Sequence, residues 1–260
     1  MLFSVSGNGK SLLLLPNGIV VLGPAGNVAH FYNYTTGTNI FQYSNSQSGG
    51  IPPTLLQSGN VALGSYNNGI DVVKPNSTGS NFMFRCVGHT SAITAVAALG
   101  NNYIATGSSD MTIKIWNATN GALIQTFTGH TGAVTQLLGL PNGLFASGSA
   151  DKTIKIWNLV TCSVVYTLTS QSSVPNLILL PNGLIASGPD PNYIWFWNYT
   201  TGTSPYKYSN IASYCNTLTL LASGNVAGGS FGATVVVVNS KNGAALFSLI
   251  GIKFINFEKR

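Results

Sequence analysis

His130, Ser147 and Asp151 bring the residue types of a hydrolase triad into one short stretch of this 260-residue chain. In such a triad a carboxylate orients an imidazole, and the imidazole takes the proton of a hydroxyl that attacks a carbonyl carbon. The same types recur at His89, Thr106 and Asp110, 41 residues earlier, with Thr106 in place of the serine. Two copies of one supposed active site at a fixed period point to architecture rather than catalysis, because geometry and not residue type defines a triad.

Other chemistry-bearing residues are few. Ser4 to Ser11 ends in Gly-Lys-Ser like a phosphate loop, but Ser4 stands where the first glycine is required, and an extended run to Pro16 follows where a helix should open. His30 has no second His or Cys nearby and reads as a packed strand residue, so neither a metal nor a cofactor is expected. Five acids are present, and a glycosidase-like carboxylate pair would have to come from Asp71, Asp190 and Glu258, which nothing in the sequence places together. Cys86, Cys162 and Cys215 lack metal-type spacing, and their odd count argues against a disulfide framework and for a reducing compartment.

The elements that must position these residues follow from the repeat. Gly129-His130-Thr131 through Trp157-Asn158 nearly copies Gly88-His89-Thr90 through Trp116-Asn117. A weaker register carries the Trp position through Tyr32, Lys74, Trp116, Trp157, Trp197 and Val238. Turns beginning with Asn and ending with Gly follow at 33–37, 117–121, 198–202 and 239–243, and Leu-Pro-Asn-Gly recurs from Leu15, Leu140 and Leu180. Three registers agree on six copies with a period near 40, the signature of four-stranded propeller blades.

Within the third copy the strands are expected at Ile93 to Ala98, Tyr103 to Gly107, Thr112 to Asn117 and Ala122 to Thr128, separated by Gly, Asn and Asp turn signals. The fourth copy repeats them at Ala133 to Leu138, Leu144 to Gly148, Thr153 to Asn158 and Ser163 to Thr169. The whole chain reads as one all-β propeller, residues 1–260, with blades near 10–45, 52–87, 92–128, 133–169, 174–209 and 216–250. Terminal strands at 2–6 and 253–257 would meet at the seam of a six-repeat ring or near-ring, as the two ends of an incomplete seventh blade.

Charged residues make up 6% of the chain, and its net charge of +6 reflects scarce acids rather than abundant bases. The eleven basic residues are scattered, and without a basic stripe nucleic-acid binding is not expected. The apolar run Leu12 to Leu15 is cut by Pro16-Asn17-Gly18, so no membrane-inserting or leader segment is expected. Four glycosylation sequons begin at Asn33, Asn76, Asn117 and Asn198, and three of them occupy one repeated turn, where duplication explains them better than secretion. The cytoplasm is the expected compartment, with the nucleus as alternative.

The paired Gly-His, Asp and Trp anchors resemble those of the WD-repeat family of β-propellers. Repeats three and four hold the full set, with Trp-Asn in place of the family's Trp-Asp; repeat five keeps Trp197 but lacks the His. The resemblance implies that His89, Thr106, Asp110 and Trp116, and likewise His130, Ser147, Asp151 and Trp157, form structural networks rather than active sites. It also implies a face on which protein or peptide partners dock, made by the loops between blades (Thr90, Ser91, Thr131, Gly132, Gln171, Ser172) and by the turns between second and third strands (Ser109, Ala150, Pro189). Recognition of phosphorylated degrons would want an arginine cluster, and the chain has only Arg85 and Arg260. The family's ubiquitin-ligase adaptor signature places Arg where this chain has Thr119 and Val160. The implied function is a non-catalytic protein-interaction scaffold; the alternatives are a repeat region of a larger signalling or sensor protein and a propeller that binds a small ligand or glycan.

Overall fold

The structure is a computed structural model, and it describes residues 11–25, 28–44, 51–65, 68–76, 79–174, 176–190, 193–209, 215–230 and 234–250. The expected terminal strands, the Gly-Lys of the phosphate-loop look-alike and Glu258 lie outside these residues. The described residues form twenty-four strands in six four-stranded antiparallel sheets. Each sheet is a β-propeller blade in which consecutive strands are neighbours.

Sheet I holds β1 (Leu12–Leu14), β2 (Ile19–Ala25), β3 (Val28–Asn33) and β4 (Asn39–Tyr43). Sheet II holds β5 (Thr54–Leu55), β6 (Val61–Ser65), β7 (Gly69–Asn76) and β8 (Gly79–Cys86). Sheet III consists of β9 (Ile93–Leu99), β10 (Tyr103–Ser108), β11 (Ile113–Asn117) and β12 (Leu123–Phe127). Sheet IV follows with β13 (Val134–Gly139), β14 (Leu144–Ser149), β15 (Thr153–Asn158) and β16 (Ser163–Thr169). Sheet V is β17 (Asn176–Leu179), β18 (Ile185–Asp190), β19 (Tyr193–Asn198) and β20 (Thr203–Ser209). Sheet VI is β21 (Cys215–Leu220), β22 (Val226–Ser230), β23 (Thr234–Val238) and β24 (Ala245–Ile250). The strands expected for repeats three and four coincide with β9 to β16 to within a residue or two at each end.

The chain divides into two compact units, residues 1–145 with 158–163, and residues 146–157 with 164–260. Inside the first unit each sheet buries alternate residues against its neighbours, as a strand with period two requires. On β7, Ile70 and Val72 join a core with Ile93, Ile104, Trp116 and Ala118 of sheet III. Val73, on the other face, joins Leu15, Val21 and Phe31 of sheet I. Gly107 lets the next strand layer approach closely: a Cβ there would lie 2.4 Å from Val134 Cγ1. In the second unit Ala186, Ile194 and Phe196 of sheet V pack on Leu218, Val226 and Val236 of sheet VI.

One expected register is corrected. Ile104 pairs with Trp116, Ile185 with Trp197 and Val226 with Val238, whereas in sheet II the matching Val61 pairs with Val73, not Lys74. Val73 is fully buried, and Lys74 is exposed. The cause is a longer hairpin. Third- and fourth-strand partners lie 12 residues apart in His30–Gln42, Lys114–Thr126, Trp195–Lys207 and Val236–Ser248, but 14 apart in Asp71–Arg85. Even spacing between Tyr32 and Trp116 therefore lands one residue late, and a one-residue slip exchanges the two faces of a strand.

Candidate functional site

Sheet III assembles His89, Thr106, Asp110 and Trp116 into one hydrogen-bonded chain. His89 lies in the loop entering β9, Thr106 in the middle of β10, Asp110 in the β10–β11 turn and Trp116 on β11. His89 Nδ1 is 2.8 Å from Asp110 Oδ2, and His89 Nε2 is 2.8 Å from Thr106 Oγ1. The Trp116 indole N–H donates to the same Thr106 oxygen at 2.8 Å. The consistent proton assignment has Nδ1–H donating to the carboxylate and the Thr106 hydroxyl donating to Nε2.

The turn around Asp110 is locked by its own side chain. Thr112 donates to Oδ1 from its N–H at 2.9 Å and from its hydroxyl at 2.7 Å, and Thr90 N–H donates to Oδ2 at 3.0 Å. Burial alone raises this carboxyl, but the Thr112, Thr90 and His89 hydrogen bonds outweigh it and bring it down to about 2. Burial is the larger influence on His89 and lowers its pKa against the pull of Asp110, so the imidazole is neutral at pH 7.

The connectivity is that of a carboxylate, imidazole and hydroxyl triad, yet the arrangement cannot perform triad chemistry on a substrate. Thr106 is fully buried, and its oxygen already accepts from Trp116. No carbonyl carbon can reach it without dismantling the blade.

Sheet IV repeats the parts. Trp157 N–H donates to Ser147 Oγ at 2.7 Å; Asp151 Oδ1 accepts from Thr153 N–H at 2.9 Å and from its hydroxyl at 2.7 Å. Ser147 is fully buried, and His130 is 7% exposed. In sheet V the indole bond recurs, with Trp197 N–H on Ser187 Oγ at 2.8 Å and a buried Ser170 at the position of the imidazole.

Most of the face residues lie on connecting segments. Thr90 and Ser91 join β8 to β9, Thr131 and Gly132 join β12 to β13, and Gln171 and Ser172 join β16 to β17. Thr90, Thr131, Ala150 and Gln171 are exposed, whereas Ser91, Ser109, Gly132 and Ser172 are half-buried. Pro189 departs from the expected turn and belongs to β18.

The family model described as "WD domain, G-beta repeat" matches residues 80–117 and 121–158. These two segments carry WD repeats. The matched segments contain both complete His, hydroxyl, Asp and Trp sets. Among solved structures, the computationally designed Ika8 protein is similar, with a TM-score of 0.74 and 25% identity over 85% of this chain and 67% of that one. Comparison with curated protein sequences returns no match.

The second copy departs from the WD-repeat network, and its buried polar group is one that sequence reasoning missed. Leu63 stands where sheet III has Thr106, and Asp71 stands where β11 has Lys114. Asp71 is fully buried. Arg85 grips it with Nε on Oδ1 and with Nη2 on Oδ2 at 2.7 Å, while the Tyr43 hydroxyl of sheet I donates to Oδ2 at 2.8 Å. Burial, then the bond to Asp71, raises the Tyr43 phenol, and Asp71 raises the Arg85 guanidinium. Burial pushes the neighbouring Cys86 thiol up to about 12, so it stays protonated.

The same cross-strand position holds a Lys114–Thr126 bond of 3.0 Å in sheet III and a Lys155–Thr167 bond of 3.0 Å in sheet IV. In sheet V, Lys207 Nζ sits 4.1 Å from the Tyr193 ring centroid and 4.6 Å from that of Trp195. The signal for Asp71–Arg85 was present as opposite charges flanking a hairpin, but the 12-residue spacing would have set Asp71 opposite Met83. Asp71 is thus tied to a cation.

His30 lies on β3, its ring 6.2 Å from Tyr32, with Nδ1 buried and lacking a hydrogen-bond partner. The sequon asparagines close turns: Asn33, Asn117 and Asn198 each accept a backbone N–H and a hydroxyl from the threonine two residues on. Asn158 and Asn239 make the same turn without a sequon. No helix is long and apolar enough to cross a membrane, and no cluster of metal-ligating side chains occurs among the described residues.

Proposed function

We infer that this chain is a non-catalytic WD-repeat scaffold that binds other proteins or peptides. The observation that carries the reading is the occlusion of Thr106, whose hydroxyl is spent between His89 and Trp116 inside the blade. With the triad look-alike consumed in this way, the accessible chemistry lies in the loops, where Thr90, Thr131 and Gln171 are exposed, small or neutral, and open to the close approach of a partner's backbone. Loops of this kind select by shape and hydrogen bonding rather than by charge. WD repeats are generally protein-binding and non-catalytic, which supports the same reading.

The test is affinity capture from an extract of the source cells, using the full chain and a Thr90→Arg/Thr131→Arg/Gln171→Arg variant, with mass spectrometry of what is retained. A set of proteins held by the parent and lost from the variant, at unchanged circular dichroism, is the expected result. Identical capture by both would move the binding surface elsewhere; no retained protein, together with a melting temperature raised by a metabolite or glycan, would overturn the scaffold reading.

A further inference from the structure

Sheets I and IV turn one corner with the same residues. Leu-Pro-Asn-Gly joins the first strand to the second at 15–18 and again at 140–143. In each sheet the second residue of the third-to-fourth-strand turn donates its N–H to the carbonyl of that glycine, Tyr34 to Gly18 at 3.0 Å and Leu159 to Gly143 at 2.9 Å. The two glycines share the left-handed conformation, with φ of 82° and 72°. The backbone of the corner is therefore alike, and the side chain laid over it differs.

In sheet I the corner holds a ring. A Cβ at Gly18 would lie 3.0 Å from Tyr34 Cε1. Sheet V also carries a ring at this turn position, Tyr199, which is 8% exposed. Sheet IV has Leu159 there instead, and a Cβ at Gly143 would meet nothing within 4 Å. A cavity of about 500 Å³ opens at this corner. Its walls are Leu140, Pro141 and Leu144 of the β13–β14 hairpin, Leu159 and Val160 of the β15–β16 turn, and Gly100 of the β9–β10 turn in sheet III. All six belong to the first compact unit. A Cβ at Gly100 would likewise meet nothing within 4 Å, and Val160 is 85% exposed.

We propose that this corner of sheet IV is a docking site for a tyrosine side chain carried by an extended segment of a partner protein. The occupant follows from the chain's own usage, since the same backbone corner seats a phenol ring in sheet I and a ring is buried at the same turn position in sheet V. The residues lining the cavity carry no charge, which opposes burial of an anion or cation there and suits a neutral ring. Asn101, also in the lining, offers an amide to the phenol hydroxyl. An aromatic anchor seated in an apolar pocket is the kind of contact in which interfaces concentrate binding energy. The site lies at the strand ends opposite Thr90 and Thr131, so it rests on the reading of the chain as a protein binder but not on that loop face.

Saturation-transfer NMR on the full chain tests it, with the pentapeptide acetyl-Ser-Ser-Tyr-Ser-Ser-amide, its alanine counterpart and p-cresol as probes. The tyrosine peptide should receive saturation at its ring protons, and the alanine peptide none. Val160→Glu, at an exposed position, and Gly100→Leu, which places a side chain in open space, should each abolish the transfer at an unchanged melting temperature. A tyrosine peptide that receives no saturation overturns the proposal, as does transfer that persists in either variant or reaches the alanine peptide equally. Saturation of p-cresol alone would make the corner a site for a small free aromatic and overturn the assignment to a partner's segment. Affinity capture through Thr90, Thr131 and Gln171 is independent of all these outcomes, so the wider scaffold reading stands or falls separately.

Discussion

At the residue scale, the polar network of sheet III works because each group leaves its neighbour no better partner. Asp110 fixes the His89 tautomer, His89 Nε2 accepts from the Thr106 hydroxyl, and Thr106 Oγ1 accepts from the Trp116 indole N–H. Both titratable members have depressed folded pKa values, so the unfolded chain binds more protons in acid. Stability from His89 is complete above its ordinary value of 6.5 and is lost as pH falls below it; that from Asp110 is complete above 3.8 and is lost as pH falls toward about 2. Thermal unfolding followed from pH 7 downward should therefore show a melting temperature that declines below about pH 6.5 and falls again below about pH 4. His89→Gln should flatten the upper limb; an unaltered slope in that variant would mean that His89 is not held neutral by the fold.

At the element scale, one strand position carries different chemistry in each blade, and that explains what could be read in advance. The strands of repeats three and four were legible because apolar alternation, turn glycines and the Trp anchor agree over two near-identical copies. The Asn turns were legible as well, since Asn33, Asn117 and Asn198 act within their own turns. Sheet II was not, because two extra hairpin residues moved Val73 into the Trp position and set Asp71 opposite Arg85. Nor does local spacing reveal Tyr43, which reaches Asp71 from another sheet. Removing one partner of a buried ion pair strands the other, so Asp71→Ala or Arg85→Ala should each cost about 3 kcal/mol in chemical denaturation. The double variant should cost clearly less than the sum; strict additivity would show that the pair is not coupled.

At the scale of the whole molecule, the sheets differ in how much of the polar set their residues hold. Sheet III joins His, Thr, Asp and Trp, sheet V has the indole-to-serine bond with a serine in the imidazole's place, and sheet II has an ion pair where sheet III has Lys114 and Thr126. That variation suits a device that holds strands and turns together and does not suit an active site, which would be lost with any one member. The most direct test is equilibrium denaturation of the full chain carrying Thr106→Val, which keeps the side chain's shape and deletes the oxygen that joins His89 to Trp116. The predicted result is a loss of about 2 kcal/mol, larger than that of Ser187→Ala in sheet V, where the lost oxygen serves the indole of Trp197 and no imidazole. A Thr106→Val chain as stable as the parent would contradict the account.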